Sequence, residues 1–99
     1  MSENPLQIFM EHDPKLMELI NQSQELELSD GALPKKVKLL IALALDAAHG
    51  AVEGVNTLAR DAMEAGATRE EILETVRVVH FVCGIGSVYT SAFGLKDVL

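Results

Sequence analysis

"AMEAGATREEI", residues 62–72, decides how this chain is read. Gly66 follows a run of good helix formers, at the place where a helix that ends in the left-handed region takes glycine. Two residues on, Thr68 stands three positions before Glu71. That is the spacing of a capping box, in which a hydroxyl and a carboxylate each satisfy the other residue's backbone N–H. One helix stops and another starts within a few residues. The stretch predicts a two-helix hairpin across Gly66, and the same kind of signal continues in both directions.

Upstream, a helix is expected from about Ala51 to Ala65, separated by Gly50 from an earlier one that Pro34 opens. From Val37 to Ala48 that earlier helix is apolar nearly all round, so it is expected to be the buried central helix. "LELSDGALP", residues 26–34, reads as a linker with Asp30-Gly31 as its turn. Before it, Asp13 and Pro14 are an N-cap and a first helical residue. Leu16, Met17, Leu19 and Ile20 then form the apolar face of a helix ending near "NQSQ", residues 21–24. Downstream, Ile72, Leu73, Val76, Val79 and His80 carry a helix on from Thr68, although "VRVVHFV", residues 76–82, has the composition of a strand. "CGIGS", residues 83–87, breaks it, and "VYTSAFGL", residues 88–95, makes a short last helix. The prediction is an all-α fold of five or six helices, one domain over residues 1–99.

Composition limits the function. The chain has 99 residues, 48% of them hydrophobic but only 4% aromatic, so its core must be aliphatic. Mean hydropathy is +0.20, high for so short a chain. Apolar residues beyond what a small core can hold are commonly buried between subunits, which predicts a homo-oligomer. A net charge of -7 opposes binding to nucleic acid and to anionic membrane surfaces. The lone Cys83 allows no internal disulfide and suits a reducing compartment, so a cytoplasmic location is expected. "MSENPLQIFMEH", residues 1–12, has neither the basic start nor the apolar core of a signal peptide. The longest apolar run, "LLIALAL" at residues 39–45, is too short to span a bilayer.

"DGALPKKVKLLIALALDAA" together with "ARDAMEAGATREEILETV" resembles the carboxymuconolactone decarboxylase family, which includes the alkylhydroperoxidase D-like proteins. The likeness runs over roughly residues 29–95. It implies the alkylhydroperoxidase D-like helical fold and assembly as a homo-trimer or homo-hexamer. Redox members of that family carry C-x-x-C-x-x-x-H at the start of a helix and a glutamate upstream. Their chemistry uses thiolates activated at a helix N-terminus. Aligned on "AGAT", the two cysteine positions hold Ala51 and Gly54, the histidine position Leu58 and the glutamate position Leu39. The resemblance thus implies a member without the dithiol peroxidase centre. Its decarboxylase members are cofactor-free and place His and Glu in the same segment, which points to a lyase or isomerase acting on a small organic acid. Neither cofactor nor metal is expected.

"HGAVEGVNTL", residues 49–58, supplies the candidate site. His49, Glu53 and Asn56 recur at helical spacing, with Arg60 continuing the stripe. His49 and Glu53 make a candidate acid–base pair, with His80 as a third catalytic candidate. Amides around Ala51 to Gly54, at a helix start, suit a substrate carboxylate, and Gly54 leaves room for close approach. Asn56 completes the substrate-binding set. The competing reading is a solvated helix face, His80 being an ordinary core or interface histidine. Two further alternatives are a non-catalytic oligomeric binding or scaffold module and a single-cysteine, peroxide-reactive protein built on Cys83. A cavity lined by His49 and Glu53 would favour the enzyme. Leu39, Ala51 and Leu58 packed into a sealed core would favour the module. Glu70, Glu71 and Glu74 are expected to be capping and surface charge, and Lys35, Lys36 and Lys38 a solvated helix start.

Overall fold

The structure, a computed structural model, describes residues 4–99 and contains six helices and no strand among them. They are α1 (Gln7–His12), α2 (Pro14–Leu28), α3 (Lys35–Ala48), α4 (Val52–Glu64), α5 (Arg69–Cys83) and α6 (Ile85–Leu95). Residues 1–3 of the opening stretch lie outside the described residues. The rest of that stretch holds α1, which composition did not signal.

The deciding stretch folds as its residues dictate. Gly66 takes φ 104°. Its N–H reaches Met63 O at 3.0 Å and the Ala67 N–H reaches Ala62 O at 2.8 Å, the paired bonds of a Schellman ending. Thr68 and Glu71 form the capping box: the Glu71 N–H donates to Thr68 Oγ1 at 3.1 Å, and the Thr68 N–H donates to Glu71 Oε1 at 2.8 Å. Gly50, at φ 79°, ends α3 in the same way. Its N–H bonds Ala47 O at 3.3 Å and the Ala51 N–H bonds Asp46 O at 2.8 Å.

Four helices surround the core. α3 packs on α4 and α5, α6 packs on α4 and α5, and α3 and α6 meet across the middle. α4 and α5 therefore occupy opposite corners. The expected hairpin across Gly66 is open, because both of its helices bury their apolar faces against α3 and α6 instead of each other. Leu43, Ala47, Val55, Ala59 and Ile72 are fully buried at the centre. Alanines and Gly54 on the facing surfaces let α3 and α4 approach closely. A Cβ on Gly54 would collide with the Asp46 carboxylate, and one on Gly94 would stand 2.6 Å from Val55 Cγ1.

Two boundaries differ from expectation, the end of α2 and the start of α6, while the stretch with strand-like composition is the helix expected. α2 continues to Leu28, because nothing in "QELEL" breaks a helix and Ser29 is its first extended residue. "VRVVHFV" is helical despite its β-branched residues: the capping box starts that helix, and Ile72 and Val79 bury one side of it. "CGIGS" interrupts only at Gly84, so α6 begins at Ile85. α3 is central but not buried all round. Leu39, Leu43 and Ala47 point inward, whereas Ile41 and Leu45 are about half exposed. The lysines at its start are not merely solvated either. Lys36 Nζ donates to Glu71 Oε2 at 2.9 Å, tying α3 to α5, and Lys38 Nζ donates to Ser29 O at 2.7 Å. No helix is long and apolar enough to cross a membrane, among the described residues.

Candidate functional site

The stripe of His49, Glu53, Asn56 and Arg60 is split by the Gly50 turn. His49 is the exposed C-cap residue of α3, and its backbone N–H is bonded to Leu45 O at 3.0 Å. Glu53 lies in the first turn of α4, and no hydrogen bond joins the two side chains among the described residues. The spacing of four residues would bring them together on a continuous helix. Here a left-handed residue stands between them and the helix axis changes.

Glu53, Asn56 and Arg60 do stay together on α4. They line a cleft of about 640 Å³ between α4 and α6, opposite Phe93, Gly94 and Asp97. Within it the side chains are braced in series. Asn56, half-buried, donates from Nδ2 to the Gly94 carbonyl at 2.9 Å, and Arg60 Nε donates to Asn56 Oδ1 at 3.1 Å. Gly94 allows this geometry, since its missing side chain brings α6 close enough to α4 for a short amide to bridge them. Arg60 makes no ion pair among the described residues, so its terminal nitrogens are left for other acceptors. A guanidinium with that freedom matches a carboxylate in two-pronged geometry.

Part of the expected anion site at the start of α4 is taken up internally. The Ala51 and Val52 amides are already bonded to Asp46 O and Gly50 O, at 2.8 and 3.1 Å. Where Gly54 was expected to admit a ligand, it admits the Asp46 side chain, which occupies the space of the absent Cβ. An internal carboxylate thus covers the first turn of α4, where the helix dipole favours negative charge. Ala51 is half-buried and is the N-cap residue of α4.

His80 lies elsewhere. It is exposed on α5, at the corner of the bundle opposite α4, and Cys83 is exposed at the end of the same helix. No three His, Cys, Asp or Glu side chains converge to hold a metal ion, among the described residues. Leu39 is buried and Leu58, partly buried, packs against both parts of the core, so two positions that the resemblance pairs with redox residues are apolar packing contacts. Glu71 has a displaced titration. The Thr68 backbone N–H and then the Lys36 ammonium hold its carboxyl below the ordinary value.

Sequence reasoning missed Asp46, Phe93, Gly94 and Asp97. Only Gly94 left a signal, as a glycine inside a helix, which marks close backbone approach when it is not a terminus.

The carboxymuconolactone decarboxylase family model matches residues 14–95. The crystal structure of an apo carboxymuconolactone decarboxylase family protein from Legionella pneumophila is similar, with a TM-score of 0.86 and 33% sequence identity. The similarity covers 92% of this chain and 81% of that one. Among curated proteins no relative matches. With the helices, their order and most of the chain's length in agreement, this chain belongs to the carboxymuconolactone decarboxylase family.

Proposed function

We propose that the chain is a thiol-independent, self-associating binding module that holds a small organic acid in the cleft between α4 and α6. Arg60 carries this reading. It is braced through Asn56 to the Gly94 carbonyl and free of ion pairs among the described residues, which prepares it to take a carboxylate. Glu53 and Asp97 on the same lining accept from hydroxyl or amine groups elsewhere on the ligand. The packing of Leu39 and Leu58 into the core supports binding over redox chemistry. Self-association is supported by the apolar surface at the α5–α6 junction, where Phe81 is 87% exposed and Val82, Ile85 and Tyr89 are also exposed. A patch of that kind ordinarily marks an interface.

Calorimetric titration with small mono- and dicarboxylates tests the site. Arg60→Gln is expected to weaken binding about tenfold or more, the usual cost of losing a hydrogen bond to a charged group. His49→Ala and Cys83→Ser, which lie outside the cleft, leave it unchanged. Absence of carboxylate binding, or binding indifferent to Arg60, overturns the reading. Glu53 in the cleft favours a second one, a cofactor-free lyase or isomerase in which Glu53 carries a proton. In that case Glu53→Gln lowers turnover about a hundredfold with binding retained.

A further inference from the structure

A second concavity lies on the other flank of α6, in the groove between α5 and α6. Its volume is about 360 Å³, and Leu73, Val76, Val88 and Ala92 supply its wall. Ser91 also borders it, but its hydroxyl is spent on the Ser87 carbonyl at 2.8 Å. The wall is therefore apolar along its length. The two charged side chains on the lining are both cations, Arg69 and Lys96, with Leu95 and Leu99 beside them, in a chain with 15 acidic and 8 basic residues. Neither makes an ion pair among the described residues.

The placement of these two cations is what gives the groove a direction. Only Gly84 separates α5 from α6, so the helices run back on each other and the start of α5 faces the end of α6. Arg69 is the first residue of α5 and Lys96 the C-cap residue of α6, which puts both charges at one end. From Arg69 to Val76 the wall extends seven residues, about 10 Å at a helical rise of 1.5 Å per residue. The groove is thus an apolar trough with two cationic side chains at its mouth.

We propose that this groove binds an aliphatic carboxylate, with the alkyl chain along Leu73, Val76, Val88 and Ala92 and the head group between Arg69 and Lys96. Burial of the chain supplies affinity and the two cations supply selection for an anionic head. A neutral chain of equal length binds more weakly, and a short carboxylate lacks the burial. This site shares no cation with the α4–α6 cleft, so it stands whether or not Arg60 holds an organic acid.

The test uses the full chain and decanoate below its micellar concentration, with decanol and butyrate as controls, followed by amide chemical shifts and calorimetry. Saturable decanoate binding is expected, with shifts at Val76, Val88 and Ala92. Arg69→Gln combined with Lys96→Gln should weaken decanoate about tenfold and leave decanol unchanged. Ala92→Trp, at an exposed position, should fill the trough and abolish both while the helical circular dichroism persists. If that variant does not fold, the charge variant alone decides. The proposal is overturned if decanoate fails to saturate or binds both variants like the parent. It is also overturned if Ala92→Trp reduces the sedimenting mass, which would assign the groove to a second copy of the chain.

Discussion

Gly54→Ala changes the sign of its effect according to what stands at residue 46. On an open helix the substitution stabilises by up to about 1 kcal/mol, because alanine loses less backbone freedom than glycine. Here the new Cβ would stand 2.8 Å from Asp46 Cγ and 3.4 Å from Asp46 Cβ, and would overlap the carboxylate oxygen. Asp46 must then leave its rotamer and the first turn of α4, and overpacking of this kind costs about 1–3 kcal/mol. Taking roughly 2 kcal/mol for the clash, the single variant loses about 1 kcal/mol. In an Asp46→Ala background the clash is absent and the same change gains up to about 1 kcal/mol. The coupling between the two positions is then about 2 kcal/mol, well beyond the few tenths that separated sites show. Urea unfolding of the four proteins at one fixed concentration measures it, with unchanged m-values as the check on comparability. If Gly54→Ala has the same effect in both backgrounds, Asp46 does not fill the space beside Gly54 and the packing argument fails.

Other expectations follow from the same geometry. The folded Glu71 carboxyl titrates below its ordinary value of 4.5, so its charge contributes stability that is present above that value and lost as the pH falls through the lower, folded one. The stability difference between the parent and Glu71→Gln, measured by urea unfolding, should be constant near neutrality and shrink on acidification below about 4.5. Thr68→Ala removes the cap hydroxyl of α5 and should cost about 1 kcal/mol in the same assay. Phe81→Lys together with Tyr89→Lys should reduce the sedimenting mass toward that of the monomer while circular dichroism stays helical, since both residues are exposed and outside the core. Cys83→Ser should leave peroxide consumption, if the parent shows any, unaltered.

Local signals were legible wherever a few adjacent residues settle a structure. Gly66, Thr68 and Glu71 announced the end of one helix and the start of the next, and Asp13-Pro14 announced another. Each of these is a bond between near neighbours, so sequence distance and spatial distance agree. The open hairpin was not legible. Whether α4 lies on α5 or on α3 depends on how faces of similar apolar character are shared among four helices, and periodicity reports a face without its partner. The site shows the same division. Glu53, Asn56 and Arg60 share a surface because α4 is unbroken between them. His49 left the group because Gly50 adopts a positive φ, and Gly54 proved to serve a neighbour's carboxylate. The opposite wall, Phe93 to Asp97, lies too far along the chain for any spacing rule to connect it.

The position of α6 has a consequence for the order of events in folding. The helix occurs late in the sequence, yet it sits against α3, α4 and α5 and buries Ser87, Ser91, Gly94 and Leu95. Its bond to Asn56 joins residues 38 apart. While the chain emerges from the ribosome N-terminus first, α3, α4 and α5 can form their turns and caps but have no fourth surface to close on. Val55, which packs against Gly94 of α6, is then left uncovered on that side. The core is completed from its C-terminal end, all at once, after residue 95 is free, and the shorter nascent chain is not a smaller version of the finished fold.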